Sequence, residues 1–205
     1  MLGRRLLWIV MRGGARLMCI LAFRVRVFGQ NRVPKTGGVL VVSNHQSFLD
    51  PLLVGVGLGR SVSYMARDTL WRRKAFGWLI TGLNCFPVAR GGRDIAALRE
   101  AVKRLRRGEC LVVFPEGTRS RDGNLGTLLQ GVVAIADRAG VPIVPAMVDG
   151  AWQAWPRSGG IRLLPIRVAY AKPIPAAERA GLGRAAALAR LRQEMLTLQA
   201  ELRRK

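Results

Sequence analysis

The chain has one histidine, and the stretch around it restricts the fold more than any other. His45 lies in Ser43-Asn44-His45-Gln46-Ser47-Phe48-Leu49-Asp50. The segment before it, Gly38-Val39-Leu40-Val41-Val42, is an unbroken apolar run and reads as a buried strand. Asp50-Pro51 then opens a helix, with Asp50 expected as its N-cap and Pro51 at the first helical position. His45 therefore sits where a core strand gives way to a helix. Open α/β sheets bind ligands at that place, beyond the carboxyl ends of their strands.

A histidine and an aspartate five residues apart across such a turn can face each other. A carboxylate on one imidazole nitrogen fixes the tautomer and stabilises the imidazolium. The other nitrogen is then free to take a proton near neutral pH. A satisfied structural histidine beside an ordinary helix cap fits the same spacing.

Half of the 205 residues are hydrophobic, enough for one domain with a full core. Net charge is +22, which calls for an anionic partner: nucleic acid, anionic lipid or a phosphorylated substrate. Cys19, Cys85 and Cys110 have no CxxC spacing and read as buried thiols in a reducing compartment. One histidine and scattered cysteines do not make a zinc site, and no metal is expected. Neither a GxSxG elbow nor a Walker A sequence is present.

Residues 1–23 form an amphipathic segment, with Arg5, Arg12 and Arg16 opposite Leu2, Leu6, Val10, Leu17 and Leu21. The longest charge-free run there is seven residues. A bilayer span needs about 20 apolar ones. Arginines interrupting the apolar part also argue against a signal peptide. Two readings fit: a helix lying in a membrane interface, or a helix packed on the domain with its basic face solvated.

Strand and helix patterns alternate from residue 23 onward. Phe23–Phe28 reads as an edge strand, 61–66 and 84–88 as short strands, and 110–114 as a buried one. Helices are expected over 70–80, 95–107 and 128–139. The run 141–148 contains two prolines, which suggests an edge or bulged strand, and 161–170 reads as the last strand. Leu188, Leu191, Met195, Leu198 and Leu202 give the tail one apolar seam, expected to pack on the body. The fold class is α/β: a single domain with a mostly parallel central sheet flanked by helices.

The strand at 110–114 delivers Pro115-Glu116-Gly117-Thr118-Arg119-Ser120 to the same sheet end as His45 if the strands are parallel. The Gly117 turn, the Thr118 hydroxyl and the Arg119 fork all suit a phosphate. Glu116 reads either as a counter-ion or as a carboxylate for substrate hydroxyls. Arg67 and Arg90 each follow a short strand and can reach the same rim.

These residues resemble the signatures of the glycerolipid acyltransferases, the lysophosphatidic acid and glycerol-3-phosphate acyltransferase superfamily. Asn44-His45 and Asp50 match its NHx4D block. Phe86-Pro87-Val88-Ala89-Arg90-Gly91 looks like the second block, whose arginine is linked to phosphate. Phe114–Ser120 matches FPEGTRS without a mismatch, and Val141-Pro142-Ile143-Val144-Pro145 is similar to the fourth, apolar block. Arg67 stands where many members carry a phosphate-binding lysine. Gln130-Gly131 departs from a common Lys-Gly pair.

The resemblance implies a catalytic domain over about 22–175, preceded by an amphipathic membrane-associating segment at 1–21 and followed by a packed helix at 176–205. It implies transfer of a fatty acyl group from acyl-CoA or acyl carrier protein to 1-acylglycerol-3-phosphate, giving phosphatidic acid. Another lysolipid or glycerol-3-phosphate is the alternative acceptor, and a basic nucleic-acid-binding protein the remote one. His45 and Asp50 are the implied base and orienter. Arg67, Arg90, Thr118 and Arg119 bind phosphate, Glu116 and Gly117 shape the acceptor site, and Asn44 and Ser47 support the turn. No cofactor and no nucleic acid are expected. The expected location is the cell membrane, peripheral or monotopic on the cytoplasmic side.

Overall fold

In the computed structural model, residues 13, 14, 17, 18, 20–89 and 94–204 are described. Most of the amphipathic segment expected at 1–21 lies outside them, as does Arg90. Among its described positions, Leu17, Met18, Ile20 and Leu21 are helical and exposed. No helix among the described residues is long and apolar enough to cross a membrane.

Among the described residues, seven strands form one sheet. They are β1 (Arg26–Phe28), β2 (Val39–Ser43), β3 (Val62–Arg67), β4 (Cys85–Val88), β5 (Cys110–Val113), β6 (Ile143–Asp149) and β7 (Arg167–Tyr170). The order is β1-β7-β6-β2-β5-β3-β4. All neighbours are parallel except β6 and β7. The fold is thus the mostly parallel α/β sheet that the alternating pattern predicts.

β2 lies between β5 and β6, and all of its residues are buried. Leu40 and Val42 enter the apolar core on one face of the sheet, Val39 and Val41 the core on the other. This two-sided burial is the physical reason for the unbroken apolar run.

After the helical positions between 13 and 23, the described helices are α1 (Asp50–Gly57), α2 (Lys74–Gly82), α3 (Ile95–Arg106), α4 (Gly131–Ala139), α5 (Ala151–Ala154), α6 (Ala176–Leu182) and α7 (Arg184–Arg204). The stretch before α2 is a 3-10 turn, Asp68–Arg72. Asp94 caps α3, its Oδ1 accepting the Ala97 N–H at 2.9 Å. Leu191, Met195, Leu198 and Leu202 of α7 are buried in the core that also holds Leu40 and Val42.

Three expectations are corrected. The proline-bearing strand is not at an edge: β6 is wholly buried between β7 and β2. Pro142 precedes the strand, and Pro145 lies just before the β6–β7 pairing, which begins at Ala146–Tyr170. The Pro145 carbonyl accepts the Ala171 N–H at 2.9 Å, so its ring nitrogen faces Ala171, and the one bond it cannot make falls just past the end of β7. The last strand is only Arg167–Tyr170, and 161–166 is irregular. Finally, α1 begins at Asp50 with Leu49 as its N-cap, and no side chain caps it. Asp50 turns its carboxylate back to the histidine turn.

Candidate active site

Parallel pairing of β2 with β5 matches Val42 to Val113. The two loops that follow, 43–50 and 114–120, therefore leave the sheet side by side at the carboxyl end of its centre. A backbone bond joins them: Ser120 N–H donates to the His45 carbonyl at 2.6 Å. Asn44 pins the first loop to the neighbouring strand. Its Nδ2 donates to the Val148 carbonyl at 2.9 Å, and its Oδ1 accepts the Val148 N–H at 2.7 Å. Ser47 Oγ donates to the Trp155 carbonyl at 3.0 Å.

His45 Nδ1 lies 2.8 Å from Asp50 Oδ2, with Asp50 fully buried and His45 one-fifth exposed. The same oxygen accepts the N–H groups of Gln46 and, at 2.6 Å, Ser47. Burial pushes the Asp50 pKa above the ordinary aspartate value, while His45 and the two amides pull it back. The imidazole stacks on Phe114, with centroids 4.5 Å apart and planes inclined by 26°. Its orientation is thus set by a carboxylate at one nitrogen and a ring on one face. Nε2 is left for chemistry.

Glu116 turns away from the role of a free acceptor ligand. Its Oε1 accepts the His45 N–H at 2.8 Å, and its Oε2 accepts the Gly126 N–H at 3.0 Å. A Cβ at Gly126 would stand 2.7 Å from Oε2, so a larger residue there would push the Glu116 carboxylate off its two amides. Burial raises the Glu116 pKa, and the two amides oppose the rise. Gly117, at φ 66°, makes the turn that sends Thr118 outward to an exposed position.

Arg119 lies with its guanidinium carbon 3.5 Å from the centre of the Phe48 ring. Its Nη1 is buried and has no hydrogen-bond partner among the described residues. Burial first, and then the positive charges of Arg157 and Arg67, push its pKa below the ordinary arginine value, while Asp50 opposes them. Arg67 ends β3 and is exposed. The structure thus brings His45, Asp50, Glu116 and Arg119 together, with Arg67 in the same field.

Sequence reasoning missed Gln46, Phe48, Phe114, Gly126 and Trp155. Gln46 Nε2 donates to the Gly123 carbonyl at 2.6 Å and its Oε1 accepts the Trp152 N–H at 3.3 Å. Phe48 meets Trp155 at 5.6 Å between centroids. Gln46, Phe48 and Phe114 lie inside the two motif loops and were open to inspection. Gly126 and Trp155 gave no local signal, because their partners are distant in sequence.

Cys19 lies outside the described residues, and neither Cys85 nor Cys110 is placed as a nucleophile beside His45. Cys85 and Cys110 begin β4 and β5, at the opposite end of these strands from His45. Burial pushes their thiols up to about 11 and about 12, with Arg104 and Arg60 respectively opposing.

A histidine oriented by a buried carboxylate thus stands at the end of a central parallel strand, in a loop that also carries Phe48, on which Arg119 stacks. The chain belongs to the acyltransferase family, whose model, described as Acyltransferase, matches residues 24–149. It is 31% identical over 137 residues to 1-acyl-sn-glycerol-3-phosphate acyltransferase of Bacillus subtilis, which covers 65% of this chain and 68% of that one. It is 36% identical over 129 residues to the human alpha form of that enzyme, covering 62% of this chain and 46% of the relative. With the chloroplastic enzyme BAT2 of Brassica napus it shares 31% over 157 residues, 74% of this chain and 45% of the relative. It thus spans about half the length of several curated relatives. The crystal structure of the 1-acyl-sn-glycerophosphate acyltransferase PlsC from Thermotoga maritima superposes with a TM-score of 0.76 at 26% identity, covering 95% of this chain and 81% of that one.

Proposed function

We propose that this protein transfers a fatty acyl group from a thioester, on coenzyme A or acyl carrier protein, to the free hydroxyl of 1-acylglycerol-3-phosphate, giving phosphatidic acid. The observation that carries this reading is the His45–Asp50 pair at 2.8 Å, set beside Arg119 and its buried, unpartnered Nη1. The names of the relatives support the acceptor.

In this mechanism Asp50 holds the proton on Nδ1, and Nε2 of His45 removes the proton of the acceptor hydroxyl. The acceptor oxygen forms a bond to the thioester carbonyl carbon. The carbon–sulfur bond then breaks, and the leaving thiolate takes the proton back from the imidazolium. General-base help of this kind is worth about 10²–10⁴ in rate. Holding the two reactants in line supplies much of the remainder. Arg119, with Arg67, Arg90 and Thr118 as further donors, binds the acceptor phosphate. Glu116 and Gly117 shape the site by fixing the two loops, and Asn44 and Ser47 hold the base turn in place.

An anionic membrane surface is the proposed setting, on the cytoplasmic side. The exposed Leu17, Met18, Ile20 and Leu21 support it, as does the +22 charge. The test is an acyl-transfer assay of purified protein with acyl-CoA and acyl carrier protein donors against lysophosphatidate, other lysolipids and glycerol-3-phosphate. Preferred acylation of lysophosphatidate supports the reading. Preferred acylation of a neutral lysolipid overturns the acceptor assignment.

A further inference from the structure

α5 and the turn after it are fastened to both catalytic loops. Trp152 N–H donates to Gln46 Oε1 at 3.3 Å, and its indole N–H donates to the Arg121 carbonyl at 3.2 Å. The Trp155 carbonyl takes the Ser47 hydroxyl at 3.0 Å. The Trp155 ring lies 5.6 Å from the ring of Phe48, on which Arg119 stacks. Pro156 follows, and Gly159 N–H donates back to the Pro156 carbonyl at 3.1 Å, closing a tight turn. Arg162 N–H donates to the Ala154 carbonyl at 2.7 Å, which ties the far side of the same loop. Arg157 is the charged residue inside this double-anchored turn, and it is exposed.

Its charge is felt at Arg119. Of the two cations that press on that guanidinium, Arg157 acts more strongly than Arg67. Among the described residues the ion pairs engage Arg104, Arg179, Arg190 and Arg203, and none engages Arg67, Arg119 or Arg157. Three like charges without an ion-pair partner, opposed at Arg119 only by the Asp50 carboxylate, repel one another. A cluster of this kind makes physical sense when a multivalent anion neutralises it. A phosphate monoester carries close to two charges and three acceptor oxygens at neutral pH.

We propose that Arg157 is a further phosphate-binding residue of the acceptor site, presented to the Arg119–Phe48 pair by the turn anchored through Trp155. This rests on the acceptor reading given above and extends it: the acceptor phosphate is gripped from three loops, after β3, β5 and β6. Arg157 also ties phosphate recognition to the base. Its anchor at Trp155 is Ser47, a neighbour of the Asp50 carboxylate that orients His45.

The experiment is steady-state kinetics of Arg157→Ala and Arg157→Lys in nonionic detergent micelles, with lysophosphatidate and with a neutral monoacylglycerol as acceptors. Arg99→Ala on the distant α3 is the control. Loss of one charge-assisted contact predicts a rise of about tenfold or more in the lysophosphatidate KM for Arg157→Ala. The donor KM and the monoacylglycerol rate stay unchanged, and Arg157→Lys recovers most of the loss. An unchanged lysophosphatidate KM in Arg157→Ala, with a raised one in Arg119→Ala, overturns the role of Arg157 and leaves the acceptor reading standing. Reduced binding to anionic vesicles without any KM change in micelles likewise overturns it. If wild-type protein acylates monoacylglycerol as well as lysophosphatidate, both proposals fall.

Discussion

Oδ2 of Asp50 accepts from Nδ1 of His45 at 2.8 Å, and the amides of Gln46 and Ser47 converge on the same oxygen. The carboxylate thus organises the turn that holds His45 and, in the proposed mechanism, polarises the base. The two roles separate in a variant that keeps the shape and loses the charge. Asp50→Asn should fold and bind acceptor nearly as wild type, while kcat falls by about 10²–10⁴. A kcat within a few-fold of wild type contradicts the orienting role.

Glu116 receives one amide on each carboxylate oxygen, from His45 and from Gly126. A glutamine offers one acceptor and turns an NH2 toward the other amide. Glu116→Gln should therefore lower melting temperature and kcat together, with the acceptor KM close to wild type. The unpaired buried donor it leaves costs about 1–3 kcal/mol of stability. A raised acceptor KM with unchanged kcat and stability would instead place Glu116 on the acceptor hydroxyls.

Asp122 follows the second catalytic loop and accepts from the Asn124 N–H at 3.0 Å, Asn124 Nδ2 at 2.9 Å and the Ser120 hydroxyl at 3.0 Å. The bonds to Asn124, backbone first, and then the bond to Ser120 lower its pKa from 3.8 to about 2. A folded-state value below the unfolded one gives stability that is present above pH 3.8 and is lost as pH falls through about 2. Carboxyl carbon NMR titration of Asp122 should show a midpoint at about 2. A midpoint at or above the free aspartate value removes this local brace.

Cys85 and Cys110 should resist alkylation in the folded protein. Their thiols, pushed up to about 11 and about 12 by burial, hold almost no thiolate at pH 8. Peptide mapping after iodoacetamide treatment should find both unmodified until denaturant is added. Rapid modification under native conditions contradicts the buried placement of Cys110 and the half-buried one of Cys85, a thiol that the sequence pattern predicts to be buried.

Much of the sheet was legible because its strands are buried on both faces. The run at 39–42 has no polar residue to place on a wet side, and only the sheet interior accommodates it. β6 was misjudged for a local reason. Proline breaks an interior strand where its missing N–H falls inside a ladder, and at Pro145 the lost bond falls at the end of the β6–β7 ladder. Asp50 misled as a helix cap because the same residue type serves both ends of a turn, and which amide it takes is a tertiary matter. The proximity of His45 to Asp50 was readable within one short loop, and Arg119 lies in a second. What fastens them was not. Ser47 meets the Trp155 carbonyl 108 residues away, and Asn44 meets Val148 at a separation of 104. Such pairings depend on the strand order, and no local pattern encodes it.

The central claim is that His45 Nε2 takes the proton of the acceptor hydroxyl. Single-turnover acyl transfer by purified His45→Ala, with matched folding and matched lysophosphatidate binding, tests it most directly. The account predicts a rate at least about 100-fold below wild type, with binding intact. Transfer at a rate near wild type would contradict it.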